Sequence, residues 1–138
     1  MIVLEINNLT GQKSPSKFLE KVLQTGQKFL RQKGMQKVSL AFVTSAKIKR
    51  LNFIYRGKNK PTDVLSFTLN EDGYLGEIII CLSVAKKQAE SFNHSLKKEL
   101  ARLLVHGYLH LLGYDHEKEN EAKIMESLEE KILAKKYD

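Results

Sequence analysis

Three histidines, His106, His110 and His116, fall within the run His-Gly-Tyr-Leu-His-Leu-Leu-Gly-Tyr-Asp-His. On a helix, residues four apart share one face about a turn apart, so His106 and His110 would stack. A continuing helix would carry His116 away from that face. Gly113 removes the difficulty, since glycine accepts the left-handed conformation that ends helices and lets the chain fold back. Three neutral imidazoles converging on one point form part of a tetrahedral zinc site. The fourth position stays open for water or substrate, as in catalytic rather than structural zinc. Asp115, beside His116, could orient a ligand imidazole through its second nitrogen or could cap the turn at Gly113. Nickel, cobalt and copper also accept three histidines, so the spacing leaves the metal's identity open.

The spacing also matches the metallopeptidase pattern H-E-x-x-H-x-x-G-x-x-H, with one departure. Gly107 stands where that pattern has the glutamate that activates water for peptide cleavage. The ligand geometry is kept while the peptidase base is missing.

A second constellation lies upstream. Lys47, Lys49, Arg50, Arg56, Lys58 and Lys60 are interspersed with Phe53 and Tyr55, and no acidic residue interrupts residues 47–60. Lysine and arginine hold phosphate, while aromatic faces stack on unpaired bases, a combination suited to single-stranded nucleic acid. A solvated helix face would carry the same charges. Arg56 stands out at the expected helix end, because a guanidinium fork can hold two phosphate oxygens at once.

These groups need a scaffold, and 138 residues suffice for one domain with a substantial core. The net charge of +7 is uneven: residues 117–138 carry five basic and seven acidic side chains, leaving 18 and nine in the preceding chain. A positive body favours a polyanion, RNA or DNA, as partner. The single cysteine, Cys81, lies in an apolar run and reads as a buried small hydrophobe, so no disulfide framework is expected. With neither a secretory leader pattern nor an apolar run of spanning length, a cytoplasmic, membrane-free protein is expected.

Residues 2–6 read as a strand. Ser14-Pro15 reads as the start of a helix whose apolar spacing runs to Leu30, with Gly34 closing it. Val38, Leu40 and Phe42 alternate as a strand. Thr44 caps a helix with the stripe Ile48, Leu51, Ile54 and Tyr55, ending near Gly57. Residues 64–82 read as a hairpin turning at residues 70–73. Ser83 begins a short helix to about Phe92, and Ser95 caps a long one reaching Leu112. His94, in the polar loop between them, is expected at the surface. From Glu117 an amphipathic helix packs through Ile124, Met125, Leu128, Ile132 and Leu133. The sum is an α+β fold with α/β character: one domain, residues 1–138, with a small mixed four-stranded sheet, about five helices and a metal site at the end of the long helix.

The chain resembles the YbeY family of metal-dependent endoribonucleases. The resemblance rests on residues 106–116 and on Tyr55-Arg56-Gly57-Lys58-Asn59-Lys60-Pro61-Thr62-Asp63-Val64-Leu65-Ser66-Phe67, similar to Y-R-x-x-x-x-P-T-D/N-V-L-S-F, in the family's order and over its length. Two positions depart: Thr68 where many members have proline, and Glu77 where aspartate is usual. The resemblance implies one zinc on His106, His110 and His116, with Arg56 and His116 catalytic. It also implies single-strand RNA cleavage, 16S rRNA 3′-end maturation, ribosome quality control and association with the small ribosomal subunit. On the residues themselves, Arg50, Tyr55, Arg56, Lys58 and Lys60 are the expected RNA contacts. The competing expectations are a metallopeptidase and a non-catalytic RNA-binding ribosome assembly factor with structural zinc.

Overall fold

The computed structural model describes residues 1–115 and 117–135. Its elements are β1 (Ile2–Asn8), α1 (Ser16–Phe29), β2 (Gln36–Val43), α2 (Ser45–Arg56), β3 (Val64–Glu71), β4 (Tyr74–Cys81), α3 (Leu82–Ser91), α4 (Leu96–Leu111) and α5 (Glu119–Leu133). The sheet order is β1-β2-β4-β3. β1, β2 and β4 run parallel, and β3 pairs antiparallel with β4 at the edge. The mixed four-stranded sheet and five helices expected from the sequence are all present.

The helix α4 lies between the sheet and α5. On one side Leu100, Leu103, Leu104 and Tyr108 join Val38, Leu40, Ile78 and Ile80 of the sheet and Leu19 and Leu23 of α1. On the other, Ala101, Val105 and Leu109 meet Met125 and Ile132 of α5 and Val22 of α1. A helix covered on both sides must be apolar nearly all round. From Glu99 to Leu111 only Arg102, His106 and His110 escape burial, at intervals of four. The far face of the sheet packs Ala41, Val43, Ile79 and Cys81 against Ile48 of α2 and Leu65 of β3, and Cys81 is a buried free thiol.

The local signals held where a side chain could act as a cap. Thr44 Oγ1 accepts from Lys47 N–H at 3.3 Å, and Ser95 Oγ accepts from Lys98 N–H at 3.1 Å. Elsewhere the chain departs from them. Pro15 itself is the residue before α1, with no side-chain cap. Gly34 does not close that helix: Arg31 takes φ 53°, and Gln32 N–H donates to Gln27 C=O at 3.0 Å. Ser83 lies inside α3, whose cap position is Cys81. On α2, Ile54 and Tyr55 are exposed, and the buried positions are Ile48 and Asn52. No helix among the described residues is long and apolar enough to cross a membrane.

Candidate active site

The last turn of α4 and the segment from α2 into β3 enclose a cleft of about 730 Å³. His106 and His110 line it together with Tyr55, Arg56, Lys58 and Lys60. The sequence separates these groups by some fifty residues. The hairpin joins them: β3 lies beside β4, α4 crosses both, and the α2–β3 loop therefore ends up beside the histidines. Arg50 is exposed on α2 and is not part of the cleft wall.

His106 and His110 stand side by side, their ring centroids 4.8 Å apart and their planes at 78°. The helix ends just beyond them. Gly113 adopts φ 106°, Gly113 N–H donates to His110 C=O at 3.0 Å, and Tyr114 N–H donates to Leu109 C=O at 3.1 Å. Gly113 thus ends the helix in the left-handed conformation that favours glycine. His116 lies outside the described residues, and among those described no three metal-type side chains come together. Asp115 Oδ1 accepts from Glu117 N–H at 2.9 Å, two residues further along the chain.

Arg56 is the final residue of α2, and Gly57 follows at φ 70°. Its Nη2 lies 3.8 Å from Glu117 Oε1, with about a third of the side chain exposed. A pair this open is weakly held, so the guanidinium can exchange Glu117 for a bound anion. Tyr55 is exposed and meets Phe67 edge-on at 5.0 Å, which leaves a ring at the cleft margin.

Several residues of the site have no signal in a metal or phosphate motif. Buried Asn52 donates from Nδ2 to Lys60 C=O at 2.9 Å and so fixes the basic loop, while its Oδ1 has no partner among the described residues. Asp63 Oδ1 accepts from Val64 N–H at 2.8 Å, and its other oxygen lies 4.0 Å from Arg102. Glu129 of α5 holds His106: Nδ1 and Oε1 are 2.6 Å apart. The tail helix, expected only to pack, therefore reaches the site. The signal was present, since Met125, Glu129 and Ile132 share the buried face of α5 and a carboxylate there needs a partner.

His94 also departs from expectation. It is mostly covered, and its Nε2 lies 2.8 Å from Glu99 Oε1. Glu99 is fully buried and accepts twice from Arg102, at 3.1 and 2.6 Å. Burial alone would push its pKa up. The hydrogen bonds from Arg102 and His94 outweigh that and hold the carboxyl below its usual range.

Position 107 decides one question of chemistry. A Cβ built on Gly107 would lie 2.9 Å from Ile78 Cδ1 and Cγ2 in the sheet. Any side chain there would enter the core between α4 and β4, not the cleft. The water-activating glutamate of the peptidase pattern has no room at this position.

A mixed sheet crossed by a helix that ends in a histidine pair, facing an arginine across an open cleft, has the build of a hydrolase for anionic substrates. The family profile described as "Endoribonuclease YbeY" matches residues 5–137, and the chain belongs to that family. It is 38% identical over 148 residues to an Endoribonuclease YbeY of Syntrophomonas wolfei, covering 98% of this chain and 95% of that one. It is 49% identical to the counterpart from Aster yellows witches'-broom phytoplasma, over 78% of each chain. A solution structure from Thermotoga maritima superposes with a TM-score of 0.67 at 34% identity, covering 95% of this chain and 87% of that one.

Proposed function

We propose that this chain is a zinc-dependent endoribonuclease that cuts single-stranded RNA. We propose further that it acts in the cytoplasm on ribosomal RNA, in 16S 3′-end maturation and ribosome quality control, in contact with the small ribosomal subunit. The observation that carries the chemistry is the meeting of His106, His110 and Arg56 in one cleft. Two adjacent imidazoles on a helix end are a donor set suited to zinc, and His116 would complete it. Bound there, the metal would polarise a phosphoryl oxygen and make water more acidic.

The other residues follow from charge and shape. Arg56 would release Glu117, grip the scissile phosphate with its fork and offset charge developing in the transition state. Lys58 and Lys60, on the loop fixed by Asn52, would hold flanking phosphates, with Arg50 further along the strand. Tyr55 offers a face for an unpaired base. No carboxylate is required as general base in this reading.

The decisive test is cleavage of a single-stranded RNA by the purified chain, with and without a chelator, beside Arg56→Ala. The variant should fold and bind zinc normally yet cut about 100-fold more slowly, as expected when one charge-stabilising donor is lost. Metal-dependent digestion of unstructured protein without RNA cutting would restore the peptidase reading. Loss of RNA binding in step with loss of cleavage would favour an assembly factor with structural zinc.

A further inference from the structure

We propose that Glu129 is a positioning residue that fixes the ring of His106 so that Nε2 faces the cleft as a metal ligand. The inference rests on the reading of His106 as a ligand.

Glu129 sits on the buried face of α5, between Met125 and Ile132, where a carboxylate is costly without a donor. It has one, His106 Nδ1 at 2.6 Å, the short contact of a charge-assisted hydrogen bond. A carboxylate can only accept, so the ring must place its proton on Nδ1. In the neutral ring that a metal requires, the lone pair is then at Nε2, on the opposite edge. His106 lies between two hollows that match this division. One is the cleft with Arg56, and the other, of about 390 Å³, is bounded by Arg102 and by Met125, Glu126 and Glu129 of α5.

The consequence is a division of labour within the carboxyl-terminal part of the chain. The helix α4 supplies the nitrogen, and α5 sets which nitrogen and at what angle. A carboxylate behind a ligand imidazole also raises its basicity, and losing such a partner typically costs about 10–100-fold in metal affinity. A helix–helix ion pair serving stability alone would leave the affinity for zinc unchanged when Glu129 is replaced.

The test uses the full chain as wild type, Glu129→Gln, Glu129→Ala and His106→Ala, with folding checked by circular dichroism. Zinc affinity is measured by competition with a chromophoric chelator. The position of the ring proton is read from long-range 1H–15N correlations of His106, with zinc bound and after its removal. The wild type should carry the proton on Nδ1 in both states. Glu129→Ala should lose about 10–100-fold in zinc affinity and shift the proton toward Nε2 once zinc is removed. Glu129→Gln, whose amide oxygen can still accept, should fall between the two and covers the case in which the alanine variant fails to fold. If His106→Ala loses zinc while Glu129→Ala and Glu129→Gln bind it as the wild type does, the positioning role is wrong and the metal site stands. If His106→Ala keeps its zinc affinity, the metal reading fails and takes this proposal with it.

Discussion

Among the described residues, His94 holds Glu99 at 2.8 Å and His106 holds Glu129 at 2.6 Å. The first pair is closed. Glu99 is wholly buried, Arg102 takes both its oxygens, and His94 completes the shell. The second differs: Glu129 holds Nδ1 of His106, and the ring also borders a cleft with His110 and Arg56. The same two functional groups thus sit in different surroundings a few turns apart. What separates them is the neighbour beyond the pair, an arginine that satisfies the carboxylate in one case and the cleft with His110 and Arg56 in the other.

The largest break in that comparison should come from exchanging one histidine on each side. His110→Ala should leave the fold intact and lower zinc affinity by more than about 100-fold, since a ligand counts for more than the partner behind a ligand. His94→Ala should bind zinc and cut RNA as the wild type does, while losing about 1 kcal/mol of stability with its hydrogen bond to Glu99. Zinc titration and urea unfolding of both variants give the answer. Equal zinc loss in the two would dissolve the distinction.

A smaller effect belongs to Glu99 itself. Glu99→Gln keeps the side chain's shape but sets a neutral amide against Arg102 and His94. Removing one partner from a buried, charged contact costs about 2 kcal/mol, and the midpoint of urea unfolding should fall accordingly. Zinc affinity should hold. A variant as stable as the wild type would mean that the cluster is a surface feature in all but position.

How much of this was legible in the sequence follows from the range of each signal. The caps Thr44 and Ser95, the hairpin and the turn at Gly113 are set by a few consecutive residues, and each was readable. The sequence shows Gly107 as an absent base, but its reason lies in Ile78, 29 positions away in the chain and under 3 Å from where its Cβ would stand. Spacing from Met125 and Ile132 puts Glu129 on the apolar face of α5, but only the folded chain shows that it and Glu99 lie against histidines. Ile54 and Tyr55 erred in the opposite direction, since helical spacing predicts a shared face but not that anything covers it. Their exposure leaves an aromatic edge beside the basic loop.

The finest test concerns only the charge on Glu99, a fraction of what Glu99→Gln removes. Its carboxyl titrates below the ordinary glutamate range in the folded chain, because the Arg102 and His94 hydrogen bonds overcome the upward push of burial. In the unfolded chain it should titrate near the ordinary glutamate value of about 4.3. The unfolded state therefore binds more protons between those two points, and stability falls as the pH drops through them. Above the unfolded value the contribution is complete. Unfolding free energies measured from about pH 6 down to about pH 3 should decline more steeply for the wild type than for Glu99→Gln, so that the two curves approach each other in acid. Parallel curves would show that Glu99 acts through shape and hydrogen bonding alone, leaving the two histidine–carboxylate pairs more alike in their electrostatics than their surroundings suggest.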